Sequence, residues 1–290
     1  MTVSNSTLRF GISVPNFAEY ADPRLVAGLA REAEAAGWDG FFIWDHILIE
    51  RNWRLPMGDP WIALAAIATA TERIRLGPMV TPLARRRPWK VARETVTLDQ
   101  LSGGRTILGV GLGHPPEAEY AAFGEEPDAK VRARKLDEGL DVLIDLWRGE
   151  PFSYRGEHYR IDDVTFLPRP AQSPRIPIWV AGYWPTRAPF RRAARFDGVV
   201  PGLVDQGVGE TMSPSDLRAI LDYIARQRTE SSPFDAVLGG YTRGDDPRAG
   251  AELVAPYAEA GLTWWLEDIH GLRGPLKQMR ERIRQGPPRT

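Results

Sequence analysis

Residues 59–113, DPWIALAAIATATERIRLGPMVTPLARRRPWKVARETVTLDQLSGGRTILGVGLG, alternate two patterns twice. Asp59-Pro60 has the form of an N-cap followed by proline at the first helical position, and the helix it opens runs to about Thr71. Residues 74–80 are a short apolar run and read as a strand. Pro88 opens a second helix that ends at Leu101, and residues 106–111 read as the next strand. Strand, helix, strand in this order is a parallel βαβ unit.

The same alternation extends in both directions. Residues 8–14 read as a strand, Asp22-Pro23 caps a helix through Ala36 that Gly37 closes, and residues 40–44 form the second strand. Beyond Gly113 a helix covers residues 131–147. The period then breaks. Residues 152–161 read as a hairpin around Arg155-Gly156, and residues 168–177 are proline-rich, so 150–177 is taken as an insertion. Strands resume at 178–181, 198–201, 236–241 and 262–266. Helices follow them to about Arg195, from Ser213-Pro214 to Arg228, from Pro247 to Ala260, and from Leu272. Eight strand–helix units predict an α/β fold, a (β/α)8 TIM barrel that spans 1–290 as one domain, with the insertion between its fourth and fifth strands. An open doubly wound sheet lacks support, because no G-x-G-x-x-G follows the first strand.

Composition narrows the partners. The chain has 37 Lys+Arg against 38 Asp+Glu, a net charge of -1, which gives no reason to expect nucleic acid or an anionic membrane. It has no cysteine, which excludes disulfides, thiolate metal sites and thiol catalysis. The first ten residues, MTVSNSTLRF, do not have the form of a signal peptide, and no apolar run approaches the roughly 20 residues of a membrane span. A cytoplasmic protein acting on a small molecule is expected.

In such a barrel, function sits at the C-terminal ends of the strands. Three of four histidines fall there: His46 after the second strand, His114 after the fourth and His270 after the eighth, with His158 in the hairpin. Histidine exchanges protons near neutral pH, and His46 and His114 are the catalytic candidates together with Asp45. Neighbours on a strand point to opposite faces, so Asp45 and His46 are not expected to share the barrel centre. No H-x-H or H-E-x-x-H pair exists, so no metal is expected. Two glycine-bearing ends, residues 109–113 and 181–186, leave room for a flat ring or a phosphate. Arg85-Arg86-Arg87 follows the third strand, where a guanidinium suits a phosphate or carboxylate. Asn16, Phe17, Trp44, Trp53, Trp184 and Glu267 fall on the loops expected to line a substrate pocket. Lys90 and Lys130 are off the strands, which disfavours a Schiff-base aldolase.

Four segments, AEAAGWDGFFIWDH (33–46), 59–88, LDQLSGGRTILGVGLG (98–113) and IPIWVAGYWPTRAPFRRAARFDG (176–198), resemble in order the bacterial luciferase-like superfamily. That resemblance implies a flavin- or deazaflavin-dependent oxidoreductase. His46 matches the histidine that F420-dependent dehydrogenases of this group use beside the deazaflavin. Met79, Val80 and Thr81 fall where the family packs a non-prolyl cis peptide against the ring, at Pro78-Met79 or Met79-Val80. Gly111 and Gly113 match a turn that borders the cofactor, Ala181, Gly182 and Tyr183 match the phosphate-binding turn, and a ligand role for Arg85 is favoured. One departure stands out. The resemblance implies a glutamate, as in the family's sugar-phosphate dehydrogenases, where this chain has His114, and that departure puts their substrate in doubt for this chain. Compact length, a single short insertion and the Trp-Asp-His end of the second strand lean towards coenzyme F420 and hydride transfer. The alternatives are an FMN-dependent monooxygenase that takes reduced flavin from a separate reductase, and a non-catalytic flavin-binding barrel. The family's habit implies a homodimer.

Overall fold

The computed structural model describes residues 8–204, 207 and 209–289. In chain order its strands are β1 (Arg9–Val14), β2 (Gly40–Ile43), β3 (Arg75–Pro78), β4 (Thr81–Pro82), β5 (Leu108–Gly111), β6 (Phe152–Arg155), β7 (Arg160–Val164), β8 (Ile178–Trp184), β9 (Gly198–Leu203), β10 (Asp235–Gly240) and β11 (Trp264–Asp268). Its helices are α1 (Pro23–Ala35), α2 (Pro60–Ala70), α3 (Pro88–Leu101), α4 (Pro116–Glu119), α5 (Ala129–Arg148), α6 (Arg187–Ala193), α7 (Pro214–Ala225), α8 (Pro247–Glu259) and α9 (Leu276–Arg284).

Nine strands form one parallel sheet in the order β3-β2-β1-β11-β10-β9-β8-β5-β4. The two ends of that order belong to a single crossing. β3 pairs with β2, and after Met79 and Val80 the chain continues as β4, which pairs with β5. A parallel bridge between Leu76 and Thr106 links the two edges. The expected eight-membered barrel is therefore present, with its third strand split in two. The split is a correction to the continuous strand expected over 74–80. It arises because the chain changes ladder partner at Met79, whose N–H still donates to the Ile43 carbonyl at 2.8 Å.

Two further boundaries move. The fifth barrel strand runs to Trp184 rather than 181, because residues 181–184 continue in parallel register with Val200–Leu203 of β9. The eighth runs from Trp264 to Asp268 rather than over 262–266, which places both acids of Glu267-Asp268 on the strand. The hairpin in the insertion is present as antiparallel β6 and β7. Short α4 was not expected.

Helix starts follow local chemistry. The Asp59 carboxylate accepts from the Trp61 and Ile62 N–H groups ahead of Pro60, and Asp22 does the same for Arg24 ahead of Pro23. The outward faces of the strands pack on the helices in the main core, for example Phe41, Ile43, Val110 and Val180. Inward residues make a second cluster of Phe42, Ile107, Trp179, Val237, Trp264 and Leu266, which plugs the lower barrel. Phe42, Trp179 and Trp264 meet there at 5.3–5.8 Å between ring centroids.

The Leu101–Arg105 turn, singled out in the sequence, is structural. Arg105 is buried, and its guanidinium donates to the carbonyls of Ala68, Thr71, Ile74 and Ser102 and to the Thr71 hydroxyl. It thereby satisfies acceptors that the end of α2 leaves open. Arg105→Ala should cost about 2–4 kcal/mol through those unmet acceptors. Thermal and denaturant unfolding would read it, and a loss below about 1 kcal/mol would contradict the assignment.

Candidate active site

The alternation of β2 sets the site. Phe42 faces the barrel interior, and the next inward residue is Trp44, whose indole N–H donates to the Ser13 hydroxyl at 2.9 Å. Asp45 turns outward and is buried, while His46 stands at the rim beside Trp44 and Phe17, 6.0 and 6.4 Å between ring centroids. β2 has ended at Ile43, so the strand period does not govern the pair, and Asp45 and His46 are joined through Arg85 and Glu119.

Behind His46 lies a closed set of charges. Asp45 accepts from Arg85 and Arg86, each at 2.8 Å, and from the Thr81 hydroxyl at 2.8 Å. Arg85 also pairs with Glu119 of α4. Glu119 is fully buried, and its Oε1 lies 2.8 Å from His46 Nδ1 and 3.2 Å from the Ile47 N–H. Two carboxylates thus face two guanidiniums. A carboxylate held by Arg85 accepts hydrogen bonds only, so His46 carries its proton on Nδ1 and presents a bare Nε2. Asn16 fixes the backbone here. Its amide donates to the His46 and Gly58 carbonyls, and its Oδ1 accepts the His46 N–H.

Burial holds the His46 imidazole down to about 4; the Asp45 carboxylate pulls the other way, and the Arg85 guanidinium adds to the fall. The four charges already cancel, so a protonated imidazole would add an unbalanced buried cation.

Across β1 the wall continues with acids and hydroxyls. Asp268 follows Trp264 and Leu266 on the inward face of β11, and a Cβ at Gly239 would come within 2.6 Å of its Oδ2. His270, two residues on, packs on Trp44 at 5.9 Å and shares a 2.8 Å hydrogen bond from Nε2 to the Tyr241 hydroxyl. Glu267, expected to line the pocket, faces the other way. It takes the Thr242 N–H and hydroxyl and pairs with Arg273 and Arg282, outside the barrel. Glu267 lies on the strand rather than on the loop after it, and its place in the alternation is the outward one.

The other half of the mouth is small and apolar. The non-prolyl cis peptide is Met79-Val80. A Cβ at Gly111 would sit 2.7 Å from Val80 Cγ2 and 3.5 Å from the Ala181 Cβ, so glycine is what admits Val80 against β5. Ala181 and Tyr183 face the mouth, following Trp179 in register; Gly182 faces outward, where its Cβ would strike Pro189. Gly113 lies in a turn whose flanking carbonyls are held by Tyr120 and Arg132.

The remaining expectations are scattered. Trp184 points out of the barrel onto Phe190 and Tyr223. Trp53 is half exposed on the loop after β2. His114 is exposed after β5 and makes none of the contacts to His46; the acid that does so is Glu119. Arg85, read as a cofactor contact, is buried and committed to its two carboxylates. Sequence reasoning missed Glu119 and Asp268. The second was within reach of strand alternation; nothing local to α4 marks the first.

Two other places gather polar groups. A cleft of about 570 Å³ opens at the N-terminal end of the barrel, beside Arg9, Arg75 and Trp264. Its polar groups are occupied by structure: Arg75 holds Gly104 and Gln172, and Glu34 takes three backbone N–H groups. Glu138, Glu157 and His158 converge at the hairpin, but Glu138 accepts the backbone N–H groups of the hairpin turn.

A model of the luciferase-like monooxygenase family matches residues 8–215. The chain belongs to that family. Curated relatives include proteins named F420-dependent glucose-6-phosphate dehydrogenase from Nakamurella multipartita, 36% identical over 94% of this chain and 78% of that one, and from Intrasporangium calvum, 33% identical over 91% and 78%. Among solved structures, an F420-dependent secondary alcohol dehydrogenase in complex with an F420-acetone adduct superposes with a TM-score of 0.78 at 17% identity, covering 97% of this chain and 98% of that one. A monooxygenase from Streptomyces bottropensis gives 0.72 at 21% identity over 96% and 97%. The luciferase-like barrel is thus the fold, and the chain is an oxidoreductase of that class. Among the described residues no helix is long and apolar enough to cross a membrane.

The charge balance predicts the state of His46. Histidine nitrogen NMR at pH 6 should show a neutral ring with Nδ1 protonated, and an imidazolium at that pH would overturn the assignment. A neutral buried His takes up a proton on unfolding once pH falls below the unfolded value near 6.5, so its contribution to stability is full above that point and is lost between about 6.5 and 4.

Proposed function

We propose that this barrel transfers a hydride between coenzyme F420 and a small organic substrate, with His46 as the proton acceptor. One observation carries the reading. His46 offers a bare Nε2 at the rim, oriented from behind by Glu119 and Arg85, beside a bowl of small residues. The residues present fit a planar ring: Val80, Gly111 and Ala181 project little into the mouth, and Met79 and Val200 floor it over the aromatic plug. The relatives' names support the deazaflavin over FMN.

When bound, the deazaflavin supplies the hydride chemistry. The chain's own residues do the rest. In the oxidising direction His46 Nε2 takes the proton of a substrate hydroxyl; in the reducing direction it returns that proton to the carbonyl oxygen. Its lowered proton affinity keeps the ring unprotonated at neutral pH, so Nε2 is free to accept. Trp44, pinned by Ser13, packs beside the imidazole and limits its tilt.

Titration of the purified protein with F420 and, separately, with FMN tests the cofactor. F420 should bind at least about tenfold more tightly, and tight FMN binding without F420 binding would point instead to the reduced-flavin monooxygenase. His46→Ala should keep F420 affinity within a few-fold yet lower hydride transfer by about two to four orders of magnitude. Unchanged turnover would remove His46 from its role.

A further inference from the structure

The wall formed by β1, β11 and β10 holds a carboxylate that the proton-transfer reading does not use. Asp268 faces the mouth from β11, under the space that Gly239 leaves open. Its neighbour Glu267 is neutralised by Arg273 and Arg282. Asp268 has no such partner: among the described residues no cation lies within ion-pair distance of its carboxylate, and Arg273 gives it only a backbone contact, to the Asp268 carbonyl at 2.8 Å. Its polar neighbour is Ser13, which also takes the indole N–H of Trp44. Around it stand Trp44, Tyr241 and His270, and the His270 Nδ1 is buried without a hydrogen-bond partner.

Two carboxylates adjacent in sequence therefore have opposite fates. One is closed by the fold with two guanidiniums. The other is left open, enclosed, and lined by aromatic rings. An enclosed carboxyl without a counter-ion is costly to keep charged. Enclosure and the nearby Glu267 push Asp268 up to about 7, against the pull of Ser13 and Arg273. A ligand that brings a donor or a positive charge to this point would offset that cost, and aromatic faces beside the acid favour a cation further.

We propose that Asp268 selects the substrate: it binds a donor group, a protonated amine or a hydroxyl, on an alcohol or carbonyl compound whose reacting carbon lies toward His46, and it disfavours phosphorylated substrates. The position of the reacting carbon rests on the hydride-transfer reading; the charge preference of the wall does not. When ionised, Asp268 gives the mouth the sign of charge that repels a phosphate.

Three compounds on one three-carbon skeleton test this: isopropanolamine as the cation, propylene glycol as the neutral donor and propylene glycol phosphate as the anion. Their affinities are measured by saturation-transfer NMR on the full chain, with and without F420, at one ionic strength. Isopropanolamine should bind best and the phosphate worst, by at least about tenfold between them. Asp268→Asn should compress that range to a few-fold, and Asp268→Glu should restore the order, which separates the charge from a general effect on folding. Phosphate binding best to the native chain, no saturable binding of isopropanolamine, or the same order in Asp268→Asn would each overturn the proposal. Because the reading is binding alone, failure of F420 to bind would sink the cofactor assignment and leave the test of Asp268 intact.

Discussion

The charge-balanced set of Asp45, Arg85, Arg86 and Glu119 is what the rest of the site depends on. All four are largely buried, and they come from three short segments: the end of β2, the turn after β4 that carries both arginines, and α4. Removing one would leave an uncompensated charge in a poorly solvated place, a loss of about 3–5 kcal/mol for a buried pair. Such a set contributes little net stability against a well-packed apolar alternative. Its effect is positional. It fastens three loops to one another and presents a single acceptor, Glu119 Oε1, to His46 Nδ1 and the Ile47 N–H. The imidazole is then fixed in both tautomer and direction.

The barrel period carries that arrangement to the opposite wall. Inward residues on β2, β1, β11 and β10 end in Trp44, Ser13, Asp268 and Tyr241, while the strands facing them end in Val80, Gly111 and Ala181. One half of the mouth is thus polar and the other small and apolar. The division follows from where side chains must yield to backbone. Val80 enters the mouth because β5 carries Gly111 opposite it, and Asp268 lies across β10 because Gly239 is there. Two glycines on two strands let two neighbouring side chains lie close against the backbone, and both border the same space.

How much of this was legible in the sequence depends on distance along the chain. The strand–helix period exposed the barrel, because strand and helix starts rest on contacts within a few residues. Glu267 read as a pocket residue because the eighth strand was ended at Leu266; the strand runs on to Asp268, and along it Glu267 faces outward and Asp268 inward. Arg85 read as a ligand because three consecutive arginines near a strand end carry no sign of their partners; Asp45 lies 40 residues away and Glu119 34. Trp184 read as pocket-lining because the strand was ended at 181; with three more residues paired to β9, its ring falls on the outer face.

Glu119 and Asp268 show why side-chain identity alone does not assign a role. Both are acids at the mouth, and both border an aromatic or imidazole ring. Glu119 is tied to a guanidinium from behind, so it remains an acceptor and governs the histidine it touches. Asp268 lacks that tie: among the described residues no cation pairs with its carboxylate, and its polar neighbour is Ser13. The two acids therefore differ in what balances them, and Trp44, bonded to Ser13, packs against both His46 and His270.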